Sequence, residues 1–188
     1  MCLNTFQVIK TFLPRTYPKC PYLWLVLTLF LHGGCSAPSN VENAIEEQIL
    51  HFGLGSEPQY LDPHLASSVS AHNVISALIE GLVSEDPKTL KPVPGVAEKW
   101  DISEDGLLYI FHLRKNAQWS NGDPVTAHDF VYSYRRILNP NLASQYASML
   151  HGLKNARKYH EDGISWEEAG VGAIALDDHT LQLTLENP

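Results

Sequence analysis

The chain has 188 residues, with 13 Lys plus Arg against 21 Asp plus Glu and a formal net charge of −8. That acidity argues against a nucleic-acid binder, whose affinity rests on neutralising phosphates with basic side chains. Cys2, Cys20 and Cys35 all lie in the first 35 residues, so residues 36–188 have no disulfide and must be held by their own core or by the rest of a larger protein.

The first 35 residues read as a leader. Lys10, Arg15 and Lys19 are their only charged side chains, and residues 21–31, PYLWLVLTLFL, form an apolar run of eleven. Such a run is too short to span a bilayer comfortably and suits the apolar region of a signal peptide. Small residues then precede Cys35 in His32-Gly33-Gly34-Cys35, as at a bacterial lipoprotein cleavage site. The expectation is a signal peptide over 1–34, a lipidated Cys35 and a polar tether over 35–47; the alternative is a plain secretory signal with an incidental Cys35. Without the leader, 10 basic residues face 21 acidic ones, a net of about −11.

Beyond the tether, residues 48–54 read as a first strand, and 55–63 as a loop punctuated by Gly, Pro and Asp-Pro. Val74, Ile75, Leu78, Ile79 and Leu82 follow helical spacing and predict a helix over 71–80, with Gly81 as its C-cap. Residues 86–94 read as a Pro/Lys loop. Next comes a hairpin, its strands over 97–102 and 107–113 joined by Ser103-Glu104-Asp105-Gly106, because an Asp-Gly step suits a tight turn with positive φ at glycine. Both faces of the second strand are largely apolar, which predicts cover on both sides.

Asn121-Gly122-Asp123-Pro124 is a second turn. Thr126 then precedes a helix as N-cap, with Asp129 at capping-box spacing and Phe130, Tyr134, Ile137 and Leu138 on one stripe. Asn139-Pro140 ends it. Trp100, Trp119 and Phe130 read as core. Two further short helices are predicted over 142–150 and 153–161, then a hairpin over 171–175 and 180–185 turning at Asp177-Asp178.

Enzymatic chemistry finds little support. The eight histidines outside the leader never come closer than eight residues apart, and there is neither an H-E-x-x-H motif nor a paired Cys/His spacing to suggest a metal. No G-x-S-x-G frames a nucleophile, and Gly53-Leu54-Gly55 lacks the third glycine and the helix start of a dinucleotide loop. Glu46-Glu47 and Glu167-Glu168 read as solvated faces rather than acid/base pairs. No catalytic residue, metal or cofactor is expected.

Five segments in order, GSEPQYLDPHL (55–65), PGVAEKW (94–100), FHLRKNAQWSNGDPVTAHDFVYS (111–133), NPNLASQYASML (139–150) and LDDHTLQLTLENP (176–188), resemble the extracytoplasmic solute-binding proteins of oligopeptide ABC importers, family 5. The resemblance implies an α/β, periplasmic-binding-protein type II-like fold of two lobes closing on a ligand. It implies that 48–80 begin the first lobe, that 81–188 make most of a family-specific subdomain, and that this chain is an N-terminal portion. It further implies a location in the periplasm or at the outer face of the cell membrane, oligopeptides and importer permease subunits as partners, and membrane contact through a lipid anchor. Dipeptides, murein peptides, nickel complexes or haem are alternative cargoes of the same fold; a truncated remnant that binds nothing is another reading.

A receptor that accepts many peptides should hold the backbone rather than the side chains. By resemblance, Ser67, Ser68 and Val69 lie along the ligand, and Tyr146 lines the cleft. A family member carries an acidic residue at the position of Ser67, which leaves main-chain pairing as the contact expected here. Read without the resemblance, Tyr146 is a helix-surface aromatic packed against Met149 and Leu150.

Overall fold

The structure, a computed structural model, describes residues 44, 45 and 47–188. The signal peptide over 1–34, the lipidation of Cys35 and most of the 35–47 tether lie outside the described residues. The chain divides into two units, Met1–Phe52 and Gly53–Pro188. In the first, Ala44 and Ile45 are helical and Ile49 N donates to Ala44 O at 2.8 Å. The strand expected over 48–54 does not form, since an apolar run becomes a strand only where a partner supplies a ladder, and none is present among the described residues.

In the second unit, helix α1 (Val69–Leu78) leads to a short antiparallel ribbon of β1 (Val83–Glu85) and β2 (Pro92–Pro94). The helix starts two residues earlier than the periodicity predicts, and its C-cap is the extended Ile79 rather than Gly81. The ribbon occupies ground read as loop. Its connection is folded by Asp86, whose Oδ1 accepts from Lys88 N, Thr89 N and Thr89 Oγ1 at 2.7–3.0 Å. Three-residue strands carry too little alternation to register in a sequence pattern.

The main sheet is antiparallel, in the order β3 (Ala97–Ile102), β4 (Leu108–Leu113), β6 (Thr180–Thr184), β5 (Ala173–Asp177). The β3–β4 turn follows the Asp-Gly expectation, with Gly106 at φ +71. In cross-strand register, Trp100, Phe111, Leu181 and Ala175 form one row and Ile102, Tyr109, Leu183 and Ala173 the next. That face packs under α2 (Ala127–Ile137).

The opposite face carries Asp101, His112, Thr180, Gln182 and Thr184, with His112 Nε2 2.8 Å from Asp101 Oδ2 and Ile174 exposed. So β4 is covered on one face, not both; the polar partners contributed by β3 and β6 leave the second face open to water. The first strand of the last hairpin starts two residues later than expected and carries a bulge between Ala175 and Asp177.

Helix α2 begins as its sequence predicts: Asp129 Oδ2 accepts from Thr126 N at 2.7 Å and from Thr126 Oγ1 at 3.0 Å. The helix lies between two hydrophobic clusters. One contains Phe111, Leu113, Ala127 and Leu181; the other contains Leu138, Leu153, Tyr159 and Trp166; Val131 and Tyr134 pack against both. Burial there pushes the Tyr134 phenol up to about 12. Trp100 and Phe130 pack against the core as expected. Trp119 does not: it is 46% exposed, on a small turn where its N–H donates to Asp123 O at 2.8 Å. The turn chemistry around Asn121-Gly122 holds the indole out from the sheet.

The helix expected over 142–150 is instead two 3₁₀ turns, Pro140–Leu142 and Ala147–Leu150, separated by Ala143 at φ +53. Helix α3 (Ala156–Asp162) comes next, then α4 (Trp166–Ala169), which the sequence reading missed. Ser165 and Glu168 form its capping box, with Glu168 Oε2 accepting from Ser165 N and Oγ and Ser165 Oγ accepting from Glu168 N. Tyr159 and Trp166 meet edge to face at 5.2 Å.

Candidate functional site

Ser67, Ser68 and Val69 sit where the chain leaves a turn and enters α1. Ser68 is extended, at φ −98 and ψ 151, and caps the helix by accepting from Ala71 N at 3.2 Å. Ser70 is buried, and its Oγ lies 3.2 Å from Ser68 Oγ and 3.4 Å from Ser56 Oγ. Val69 is not part of an extended segment; it opens the helix, with its side chain 77% exposed. As at any helix start, the N–H groups here have no carbonyl one turn back to receive them. Those of Ser67, Ser68, Val69 and Ser70 have no hydrogen-bond partner among the described residues.

Tyr146 comes to the same place. It precedes the second 3₁₀ turn, and its Oη donates to Ser67 O at 3.5 Å across 79 residues of sequence. Tyr146 is 44% exposed and Met149 77% exposed, and the Tyr146 hydroxyl reaches the strip. N–H donors without a partner among the described residues, beside a phenol that both donates and accepts, suit the backbone of an extended chain.

The sequence reading missed what holds the strip. Arg136, in the last turn of α2, grips Asp62 with two parallel bonds, Nη1 to Oδ1 at 2.9 Å and Nη2 to Oδ2 at 2.6 Å. Arg136 Nη1 is also 2.6 Å from His64 Nδ1, and His64 Nε2 is 2.9 Å from Ser133 Oγ. Arg136 draws the Asp62 carboxyl below its ordinary value of 3.8, and the pair raises the guanidinium. Burial, then the Arg136 charge, lowers His64 below 6.5. No local pattern could reveal a partner 74 residues away.

Two neighbouring glutamates have structural duties. Glu167 pairs with Arg135 at 2.9 Å, and Glu168 caps α4. Among the described residues, no group of three or more His, Cys, Asp or Glu side chains converges in a way that could hold a metal. No helix among them is long and apolar enough to cross a membrane.

Residues 91–188 match the profile of the bacterial extracellular solute-binding proteins, family 5 Middle, and the chain belongs to that family. It is 42% identical over 168 residues to the periplasmic oligopeptide-binding protein OppA of Salmonella typhimurium, covering 87% of this chain and 30% of the relative. It is 37% identical over 166 residues to the periplasmic murein peptide-binding protein MppA of Escherichia coli, with the same shares covered. The crystal structure of Haemophilus influenzae OppA in complex with RPPGFSPFR superposes with a TM-score of 0.67 at 43% identity, over 72% of this chain and 26% of that one. The fold is thus the mixed α/β arrangement found in part of these type II periplasmic binding proteins, and the chain spans about 30% of the length of the curated relatives it matches.

Proposed function

We propose that this chain contributes one wall of a peptide-binding cleft in an extracytoplasmic receptor that delivers oligopeptides to an ABC importer. The observation that carries this reading is the meeting of Tyr146 Oη with Ser67 O beside the N–H groups of Ser67, Ser68 and Val69, which have no partner among the described residues. Similarity to a receptor solved with a nine-residue peptide supports the cargo class. In this receptor, 48–80 begin the first lobe and 81–188 form most of the family-specific subdomain. The leader over 1–34 directs export, and Cys35 is diacylated and anchors the receptor at the outer face of the membrane. Mass spectrometry of the mature N-terminus tests that last point; an unmodified Cys35 or a different first residue overturns it.

One wall binds weakly, because ordering an extended peptide costs several kcal/mol that a single face does not offset. The test is therefore an NMR titration of the chain with trialanine at millimolar concentration. Shifts should be confined to the amides of Ser67 to Val69 and the ring of Tyr146. Tyr146→Phe should weaken them by about 0.5–1.5 kcal/mol in apparent affinity, the net value of one hydrogen bond. Shifts centred elsewhere, or none, overturn the reading.

A further inference from the structure

The turn ahead of the strip is tied to α2 more firmly than loop punctuation would require. Leu65 N and Ala66 N both donate to Asp62 O, at 3.1 and 2.9 Å, and His64 N donates to Asp62 Oδ1 at 3.0 Å. Both oxygens of that carboxylate are held by Arg136. A bidentate guanidinium–carboxylate pair fixes orientation as well as distance. Only Ala66 separates this turn from Ser67, so the position of the strip is set by an arginine on a helix that is itself packed on the sheet.

We propose that Asp62, His64 and Arg136 are positioning residues that hold Ser67 to Val69 in their peptide-facing arrangement, and that this clamp closes only around a neutral His64. The proposal rests on the reading of that strip as a peptide contact. The hydrogen bonds dictate the protonation state. Arg136 Nη1 has protons to give and no lone pair to receive one, so His64 Nδ1 must accept and be bare. His64 Nε2 then carries the proton and donates to Ser133 Oγ. Protonating Nδ1 removes the acceptor and sets an imidazolium against the guanidinium.

The charged and titratable groups around His64 are Asp62 on its own turn and Arg136 on α2, with Tyr132 beside Arg136. Asp62 favours the imidazolium, whereas burial and Arg136 oppose it more strongly and lower His64 below 6.5. A lowered folded-state value means the neutral form contributes fully above pH 6.5, and its contribution is lost as pH falls through the lower value. The strip should therefore loosen, and release what it holds, as pH falls through the lowered His64 value.

Two NMR measurements on the chain test this. Without ligand, a pH titration follows the His64 ring and the Ser67 to Val69 amides; all should share one midpoint below 6.5, and in His64→Gln the amides should not titrate. Glutamine keeps an acceptor and a donor but has no proton to gain. With trialanine, apparent affinity should fall at least about threefold between neutral pH and one pH unit below the observed His64 midpoint in the natural sequence, and by less than about 1.5-fold in His64→Gln. If that variant does not fold, Ser133→Ala serves, since it moves the His64 midpoint and the strip amides should follow. Amides that ignore the His64 midpoint, or equal pH profiles in both proteins, overturn the clamp. If trialanine shifts nothing at neutral pH, the peptide reading fails, and the ligand-free titration still decides the clamp.

Discussion

Adding one methyl group at Gly172 should damage this fold, whereas the same change at Gly152 should not. Gly172 sits where the helical layer meets the sheet: its N–H donates to Lys154 O at 2.9 Å, its carbonyl accepts from Thr184 N at 2.7 Å, and Lys154 N donates to Thr184 O at 2.9 Å. A Cβ there would lie 2.5 Å from Thr184 O, 2.9 Å from Lys154 Cβ and 3.0 Å from Thr184 Cβ. Restoring an ordinary contact of 3.4 Å requires the Thr184 carbonyl to retreat by about 0.9 Å, which breaks its bond to Lys154. One net hydrogen bond is worth about 0.5–1.5 kcal/mol. Overpacking adds about 1–3 kcal/mol. Reduced freedom of the unfolded chain returns about 0.4–1 kcal/mol. Gly172→Ala should thus destabilise by roughly 0.5–4 kcal/mol in urea unfolding. Gly152 has no atom within 4 Å of its would-be Cβ, so Gly152→Ala should change stability by less than about 1 kcal/mol, in the favourable direction. If the two variants unfold within about 0.5 kcal/mol of each other, the close approach at Gly172 is wrong.

Leu138→Ala, at a fully buried position after α2, should cost about 2–5 kcal/mol in the same assay; a loss under about 1 kcal/mol would contradict its place in the core. Ser165→Ala removes a capping box and should cost about 0.5–2 kcal/mol, with faster hydrogen exchange in Trp166–Ala169; unchanged exchange there would show that the box does not hold α4. Arg136 holds Asp62 below 3.8, and the Ser165 hydroxyl holds Glu168 below 4.5. Lowered carboxyl values stabilise fully above those ordinary values and fade as pH falls through the folded-state ones, so the urea midpoint should decline below pH 4.5; a flat midpoint from there to pH 3 would contradict these pairings.

What was legible in the sequence is what neighbouring residues decide among themselves. The turn at Asp105-Gly106, the Thr126/Asp129 capping box and the Asn139-Pro140 stop each involve groups within a few residues, and each appears in the structure as read. The helix expected over 71–80 begins two residues earlier, because apolar periodicity starts only at Val74 while the cap is set by the Ser68 hydroxyl accepting from Ala71 N. The Ser165-x-x-Glu168 signal was present and overlooked, because two adjacent glutamates read more readily as a solvated face. Trp119 misled because size alone argues for burial, while turn geometry directs the ring outward. The candidate residues Ser67, Ser68, Val69 and Tyr146 came from family resemblance. Their meeting and the Arg136 grip depend on pairings across more than 70 residues, which only the folded chain brings together.

The placement of α2 between two hydrophobic clusters has a consequence for cooperativity. Val131 and Tyr134 belong to both contact sets, so neither cluster can lose its cover without uncovering part of the other. Melting the sheet layer would strip one side of α2, and melting the small helices would strip the other. A helix of 11 residues does not persist in water once its packed faces are lost. The two layers should therefore lose structure in a single transition rather than in sequence. Because Arg136 rides on that helix, the Ser67 strip should keep its anchor point until the whole unit unfolds, and heating should populate no stable state in which the scaffold stands while its last helical turn has let go.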